Sequence, residues 1–184
     1  NVLCLIPARS GSKAIKNKNI KNLGGKPLIY WTIKQAKKSK CFSKIIVSTD
    51  SSKIKKISLK YGAEVPFLRP KKISSDKSST IDVVKHAIDF FYRKEKIEYN
   101  LIFLLQPTSP LRSVNDIRNS LKKIKNNYNA TSLVSVSEVE DNHPARMYYL
   151  RKGLLKSHKL SEKKNGTPRQ SLKKMYLRNG SIYI

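Results

Sequence analysis

Acidic side chains are scarce in this chain: 12 Asp and Glu stand against 39 Lys and Arg in 184 residues, leaving a formal charge of +27. That balance excludes an acidic disordered tail. Cysteine is scarce as well, with two residues. Cys4 sits inside an apolar run and Cys41 in a turn-like stretch, and neither CxxC nor a His-paired spacing occurs, so both are expected to be ordinary thiols. No apolar run approaches the ~20 residues of a spanning helix. The first apolar stretch, residues 2–7, leads straight into charged sequence without a signal-peptide layout, so a soluble cytoplasmic protein with no membrane contact is expected. An initiating Met is also missing, and residues 181–184 stop inside what reads as a strand. A fragment truncated at both ends is the expectation.

What is present reads as globular. Hydrophobic residues make up 39% of the chain and are spread along it, and a chain this long can bury roughly 70% of its unfolded surface. Thirty of the 39 basic residues are Lys, in the company of abundant Ile and Asn. A cation excess can serve a nucleic-acid or anionic-membrane surface, because neutralising phosphates releases counterions. A basic nucleic-acid-binding protein is therefore the rival reading. Against it, the sequence has no RNP-type aromatic pattern, no zinc-finger spacing and no isolated basic tail. A compositional drift to Lys on exposed helix faces accounts for the excess, and no nucleic-acid partner is expected.

Short β-branched or Leu-rich runs alternate with helical patterns, the signature of βαβ units around a mostly parallel sheet with helices on both faces. Strands are predicted over 2–7, 45–49, 64–67, 101–105 and 130–136, with 101–105 fully apolar and central. Pro27 opens a helix whose Leu28, Ile29, Thr32, Ile33 and Ala36 share one face. Asp50 stands in N-cap position before a helix aligned on Ile54, Ile57 and Tyr61 and ended by Gly62. From Thr80 a longer helix is predicted to bury a stripe of Ile81, Val84, Ile88 and Phe91. Ser113 and Asp116 form a capping-box start to a helix carrying Ile117, Leu121 and Ile124. Beyond about residue 138 the alternation weakens: 147–150 and 154–156 flank Arg151-Lys152-Gly153 as a hairpin, and 158–174 reads as polar loop.

In an open parallel sheet, ligands bind beyond the carboxyl ends of the strands, and the informative residues fall there. The loop from Ala8 to Asn19 combines Gly11, the hydroxyls of Ser10 and Ser12, and the cations Arg9, Lys13 and Lys18, the groups that wrap a polyphosphate. It is neither a Walker A loop nor GxGxxG. In Gln106-Pro107-Thr108-Ser109-Pro110-Leu111-Arg112, two prolines stiffen a strand exit and fix where Gln106, Thr108 and Ser109 point. Five of the nine arginines, Arg9, Arg69, Arg112, Arg169 and Arg178, lie in loops or beside short motifs. A guanidinium fork grips phosphate, carboxylate or a base edge in a way Lys cannot imitate.

Residues 6–13 (IPARSGSK), Lys18-Asn19, residues 23–28 (LGGKPL), Val47-Ser48-Thr49-Asp50, Arg69-Pro70 with Asp76, the QPTSPLR run and residues 179–184 (NGSIYI) together resemble the acylneuraminate cytidylyltransferases, the CMP-sialic acid synthetase family. The likeness follows the family's order over essentially the whole chain. It implies a Rossmann-like α/β nucleotidyltransferase domain over 1–184 that transfers CMP from CTP to the anomeric hydroxyl of a nonulosonic acid. Pyrophosphate is released with Mg²⁺, and the product serves cell-surface polysaccharide biosynthesis. By the resemblance, Arg9, Ser12 and Lys13 hold the CTP phosphates, Lys18 and Asn19 fix the nucleotide, and Arg69 and Ser79 contact the cytidine side. Gln106 faces the sugar, Arg169 and Gln170 approach its carboxylate, and Tyr183 lies near that pocket. The stretch 138–175 is expected to form a dimerisation and substrate-covering extension, with Arg146 reaching the partner's site in a homodimer.

Two departures from the family pattern stand out. Ala14 replaces a usual Gly after Ser-Lys, which restricts the loop's access to positive φ. The family's paired Mg²⁺-binding aspartates lie beyond Ile184, so no metal ligands are expected within this stretch, with Asp50 and Asp76 read as helix-start and loop residues. Arg9, Lys18 and Gln106 carry the expected chemistry, an in-line attack on the α-phosphorus aided by positioning and charge neutralisation. CMP activation of another deoxy-sugar acid, of the 3-deoxy-octulosonate type, is the nearest enzymatic alternative.

Overall fold

The computed structural model describes residues 1–12, 15–76, 78–139, 142–158 and 166–184. They form two compact units, Asn1–Val134 with Gly180–Ile184, and Ser135–Asn179. Lys13 and Ala14 lie outside the described residues.

The first unit is built on β1 (Val2–Pro7), whose residues alternate between two cores. Successive side chains of a strand point to opposite faces. Cys4 and Ile6 accordingly join one cluster, and Leu3 and Leu5 the other, all four fully buried. A small hairpin, β2 (Asn22–Leu23) and β3 (Lys26–Pro27), leads into α1 (Leu28–Ser39), which buries Ile29, Thr32, Ile33 and Ala36 as its spacing predicts. Then come β4 (Lys44–Ser48), α2 (Ser52–Lys60), α3 (Thr80–Phe90), β5 (Leu101–Leu105), α4 (Val114–Lys125) and β6 (Val134–Glu138). In the second unit β7 (Tyr148–Arg151) and β8 (Leu154–Ser157) make the expected antiparallel hairpin, turning at Lys152 and Gly153, both at positive φ. The last strand, β9 (Tyr176–Tyr183), returns to the first unit.

The main sheet has the order β4-β1-β5-β9-β6, which puts β5 in the middle as its apolar sequence predicts. β1 pairs in parallel with β4 and β5, while β9 pairs antiparallel with β5 through Leu104↔Tyr183 and Leu105↔Ile182. One face packs on α1, α2 and α4 through Ile33, Ile54 and Ile117, the other on α3 through Val83 and Ala87 and on Phe91 just past its end. The α/β class with helices on both faces therefore holds.

Four local expectations are corrected. Ser51, not Asp50, caps α2: its Oγ accepts from the Ile54 N–H at 3.3 Å. Residues 64–67 form no strand, only isolated bridges Ile46↔Glu64 and Thr49↔Leu68, because Pro66 has no N–H to give a ladder. The stripe expected from Ile81, Val84, Ile88 and Phe91 holds only in part: Phe91 is buried and Val84 packs against the same core, but Val83 and Ala87 go fully in while Ile81 is 61% and Ile88 41% exposed. Apolar residues on adjoining helical rows satisfy the 3.6 period on two faces, so periodicity alone could not choose. The strand expected at 130–136 begins at Val134, after a turn closed by the Ala130 N–H on the Asn127 carbonyl. By contrast the Ser113–Asp116 capping box forms with both bonds, at 3.0 and 2.8 Å.

Candidate active site

The carboxyl ends of β1 and β5, with Arg69 and the start of α3, open onto a cleft of about 290 Å³. Seven of the residues singled out from the sequence line it: Arg9, Ser12, Lys18, Asn19, Arg69, Ser79 and Gln106. The volume is at the small end of ligand clefts, about 300–1,000 Å³.

The loop after β1 is pinned from below. Asp50 accepts from both the backbone N–H of Ser10 (2.8 Å) and its Oγ (2.7 Å), and the amide of buried Asn19 donates to the Arg9 carbonyl at 2.9 Å. Asp50 thus spends both carboxylate oxygens on holding the loop. That explains why it does not cap α2. With its backbone held, Arg9 projects a guanidinium whose Nη1 donates to the Gly11 carbonyl (2.8 Å) and whose Nη2 pairs with Asp76. Among the described residues, Asp76 is the one carboxylate lining a cleft that also carries Arg9, Lys18 and Arg69.

Arg69 is 6% exposed and donates through Nη2 to the Ser48 carbonyl at the end of β4 (2.9 Å), while its Nε has no hydrogen-bond partner. Burial lowers its pKa, with Arg9 adding to the effect and Asp50 opposing it. That unpartnered N–H is itself sealed from solvent and costs stability, while the residue as a whole forms part of the cleft wall. Ser79 also caps α3, its Oγ accepting from the Asp82 N–H at 3.1 Å.

On the β5 side, Thr108 Oγ1 donates to Gln106 Oε1 at 3.4 Å. Gly180, at φ +75°, stands where a Cβ would lie 3.8 Å from Tyr183 Oη and 3.9 Å from Gln106 Oε1, so those two side chains flank a common spot. Arg112 departs from the ligand-facing part its loop position suggests. It is 4% exposed and turns inward to bond the Ser181 and Gln106 carbonyls. Burial pushes it down to about 10, with Cys4 and Asp116 opposing; the Cys4 thiol is in turn pushed up by burial.

Arg146, Arg169 and Gln170 belong to the second unit. There Arg169 and Gln170 line a recess of about 350 Å³ with Glu138, His143 and Lys174 among others. Arg146 Nη2 donates to the Thr167 carbonyl at 3.5 Å. His143 accepts from the Ala145 N–H through Nδ1 (3.1 Å), which leaves Nε2 to donate to the Lys173 carbonyl (3.0 Å). This buried imidazole is a brace for the turn that carries Arg146.

The sequence reading missed the pairing of Asp76 with Arg9 and the cleft positions of Ser75, Ser78 and Thr80. Their signal was the hydroxyl-rich run between Arg69-Pro70 and the start of α3.

The family model described as Cytidylyltransferase matches residues 3–183. Over 140 residues the chain is 41% identical to the CMP-N,N'-diacetyllegionaminic acid synthase of Legionella pneumophila, an alignment covering 75% of this chain and 58% of that one. With the pseudaminic acid cytidylyltransferase of Campylobacter jejuni serotype O:23/36 the identity is 36% over 183 residues, 99% of this chain and 77% of the relative. Among solved structures, a CMP:2-keto-3-deoxy-manno-octonic acid synthetase complexed with CTP superposes with a TM-score of 0.72 over 99% of this chain and 72% of its own. At 17% identity that likeness speaks for the fold.

Proposed function

The chain belongs to the cytidylyltransferase family, and from that premise we propose that it transfers CMP from CTP to the anomeric hydroxyl of a nonulosonic acid, releasing pyrophosphate. It is a nucleotidyltransferase. The observation that carries the substrate reading is the strand-end cleft. It gathers three cations, of which Arg69 is buried, and several hydroxyls around a space fit for a triphosphate and part of its nucleoside.

In this reading Arg9 and Lys18 take the phosphate oxygens, with Ser12 beside them, and offset the charge that grows on the leaving pyrophosphate. Lys13 joins them by sequence position. Asn19 acts through the loop it holds, Arg69 brings its charge to the cytidine end, and Ser79 contributes from the start of α3. The anomeric hydroxyl, lined up by Gln106 and Tyr183, attacks the α-phosphorus in line, so most of the acceleration comes from holding the reactants together. Arg169 and Gln170 take the acid's carboxylate.

Mg²⁺ belongs to the proposal as the ion that accompanies the triphosphate and neutralises part of its charge. The described residues do not themselves fit it. They contain no cluster of three or more His, Cys, Asp or Glu that could hold a metal, and Asp50 and Asp76 are engaged by Ser10 and Arg9.

The reading extends to a cytoplasmic homodimer with no nucleic-acid or membrane partner. No described helix is long and apolar enough to cross a membrane, and both cysteines are free thiols, as suits a reducing compartment. The β7–β8 hairpin leaves Met147, Tyr148, Tyr149, Leu150, Leu154 and Leu155 at least 47% exposed, which supports a second copy covering it and bringing Arg146 to its partner's site.

The test is pyrophosphate release from CTP with a panel of neuraminic, legionaminic, pseudaminic and eight-carbon deoxy-sugar acids. A nonulosonic acid is expected to be turned over best. Preference for the eight-carbon acid, or release without any acid, would overturn the substrate assignment.

A further inference from the structure

We propose that Arg112 is the positioning residue of the acceptor side, its guanidinium fixing the β5 exit that bears Gln106 against the end of β9 that bears Tyr183. The proposal rests on the reading of Gln106 as the group facing the sugar acid. Its geometry lies entirely within the first unit.

Arg112 touches three separate elements. Nη2 donates to the Gln106 carbonyl at 2.8 Å, Nε to both the carbonyl (3.0 Å) and Oγ (3.1 Å) of Ser181, and Nη1 to Thr32 Oγ1 on α1 at 3.4 Å. The Gln106 carbonyl also accepts from the Ser109 N–H (3.3 Å), and the Arg112 N–H donates to the Ser109 carbonyl (3.3 Å). Residues 106–112 therefore close on themselves, with Pro107 and Pro110 stiffening the arc. Arg112 does not line the cleft, whereas Gln106, Pro107 and Thr108 do. It reaches ligand only through them.

The chemistry of its surroundings favours a geometric role over a stabilising one. All four hydrogen bonds go to neutral carbonyls and hydroxyls. Burying a cation without an acid partner costs stability that an apolar side chain of similar volume would not forfeit. What a guanidinium supplies and an apolar chain cannot is a planar fork with donors in fixed directions. Here it locks three backbone or side-chain positions at once. Fixing the Gln106 carbonyl fixes where its side chain starts, and a small displacement of a substrate-positioning group is costly to rate.

The experiment is a double-variant cycle. Arg112→Lys, Gln106→Ala and the combined variant are compared by KM and kcat for the acid the enzyme turns over and by CTP affinity from calorimetry. Arg112→Lys keeps a charge and loses the fork. It is expected to lower kcat/KM for the acid by about tenfold while CTP affinity shifts by less than about twofold, and to add less than about twofold on top of Gln106→Ala, as residues acting through one another do. Thr32→Val, nearly isosteric, withdraws one acceptor with Arg112 in place, and is expected to give a smaller loss of about twofold in the same parameter.

Should Arg112→Lys fail to fold, Thr32→Val decides by the same cycle. Loss of CTP affinity in step with acid use, or a full multiplicative effect on the Gln106→Ala background, overturns the proposal while the reading of Gln106 stands. If Gln106→Ala itself leaves acid use unchanged, that reading falls and this proposal with it.

Discussion

Asp50 offers the sharpest contrast between a local and a tertiary role. Its carboxylate accepts two hydrogen bonds from Ser10, at 2.8 and 2.7 Å, in a partly buried setting. Asp50→Ala removes both and leaves a backbone N–H and a hydroxyl without their acceptor. A bond to a charged acceptor is worth about 1.5–3 kcal/mol, and partial burial argues for the lower end, so the substitution is expected to cost about 3 kcal/mol. For a chain of this size that lowers Tm by about 9 °C. Asp50→Asn keeps one acceptor oxygen and exchanges charged for neutral bonds, for a loss of about 1–2 kcal/mol. Ser51→Ala, which removes the actual cap of α2, costs about 1 kcal/mol. Thermal unfolding gives the three values, and calorimetric titration with CTP reads the loop, where Asp50→Ala is expected to weaken binding and Ser51→Ala to leave it alone. If Asp50→Ala lies within about 0.5 kcal/mol of the parent protein, or Ser51→Ala proves the more damaging, the anchoring role is refuted.

Other expectations follow from the same structure. Phe103, fully buried and edge-on to Phe42 at 5.1 Å, lies in the middle strand, and Phe103→Ala should cost about 3–5 kcal/mol in urea unfolding; a loss below about 1 kcal/mol would contradict the core assignment. Burial first, then the Arg69 charge, hold His86 below its ordinary range against the pull of Asp89. The folded protein therefore binds fewer protons than the unfolded chain as pH falls below about 6.5, so stability drops through that window, and His86→Gln should flatten the slope. Arg69→Lys keeps a charge but loses the planar fork and its bond to the Ser48 carbonyl. It should raise KM for CTP by about tenfold with little change in KM for the acid, and equal effects on both substrates would argue against a nucleotide-side role.

Much of this was legible in the sequence where a local rule and the tertiary fold agreed. β5 reads as central because Leu101–Leu105 is apolar throughout, and the Ser113–Asp116 box needs only four residues to form. The cleft was legible because it collects residues from strand ends and loops, with Arg9 following β1, Gln106 following β5 and Arg69 reaching in from the loop after the Thr49↔Leu68 bridge. The failures lie where two local readings compete. Asp50 and Ser51 both suit an N-cap, and what separates them is a partner 40 positions away, Ser10. α3 carries apolar residues on two overlapping faces, and only the strands behind it decide that Val83 and Ala87 go in. Arg112 stood in a ligand-rich loop yet folds inward, because the acceptors it finds, Ser181 and Thr32, come from distant parts of the chain.

The most direct test of the central claim is turnover by Arg9→Ala, followed as pyrophosphate released from CTP in the presence of a nonulosonic acid. Arg9 is held at the cleft by the Gly11 carbonyl and Asp76, and the proposal sets it against the charge the reaction develops. A fall of about two orders of magnitude or more is expected, with the fold intact by circular dichroism. Near-normal turnover in that variant would contradict the assignment of the cleft as the site of CMP transfer.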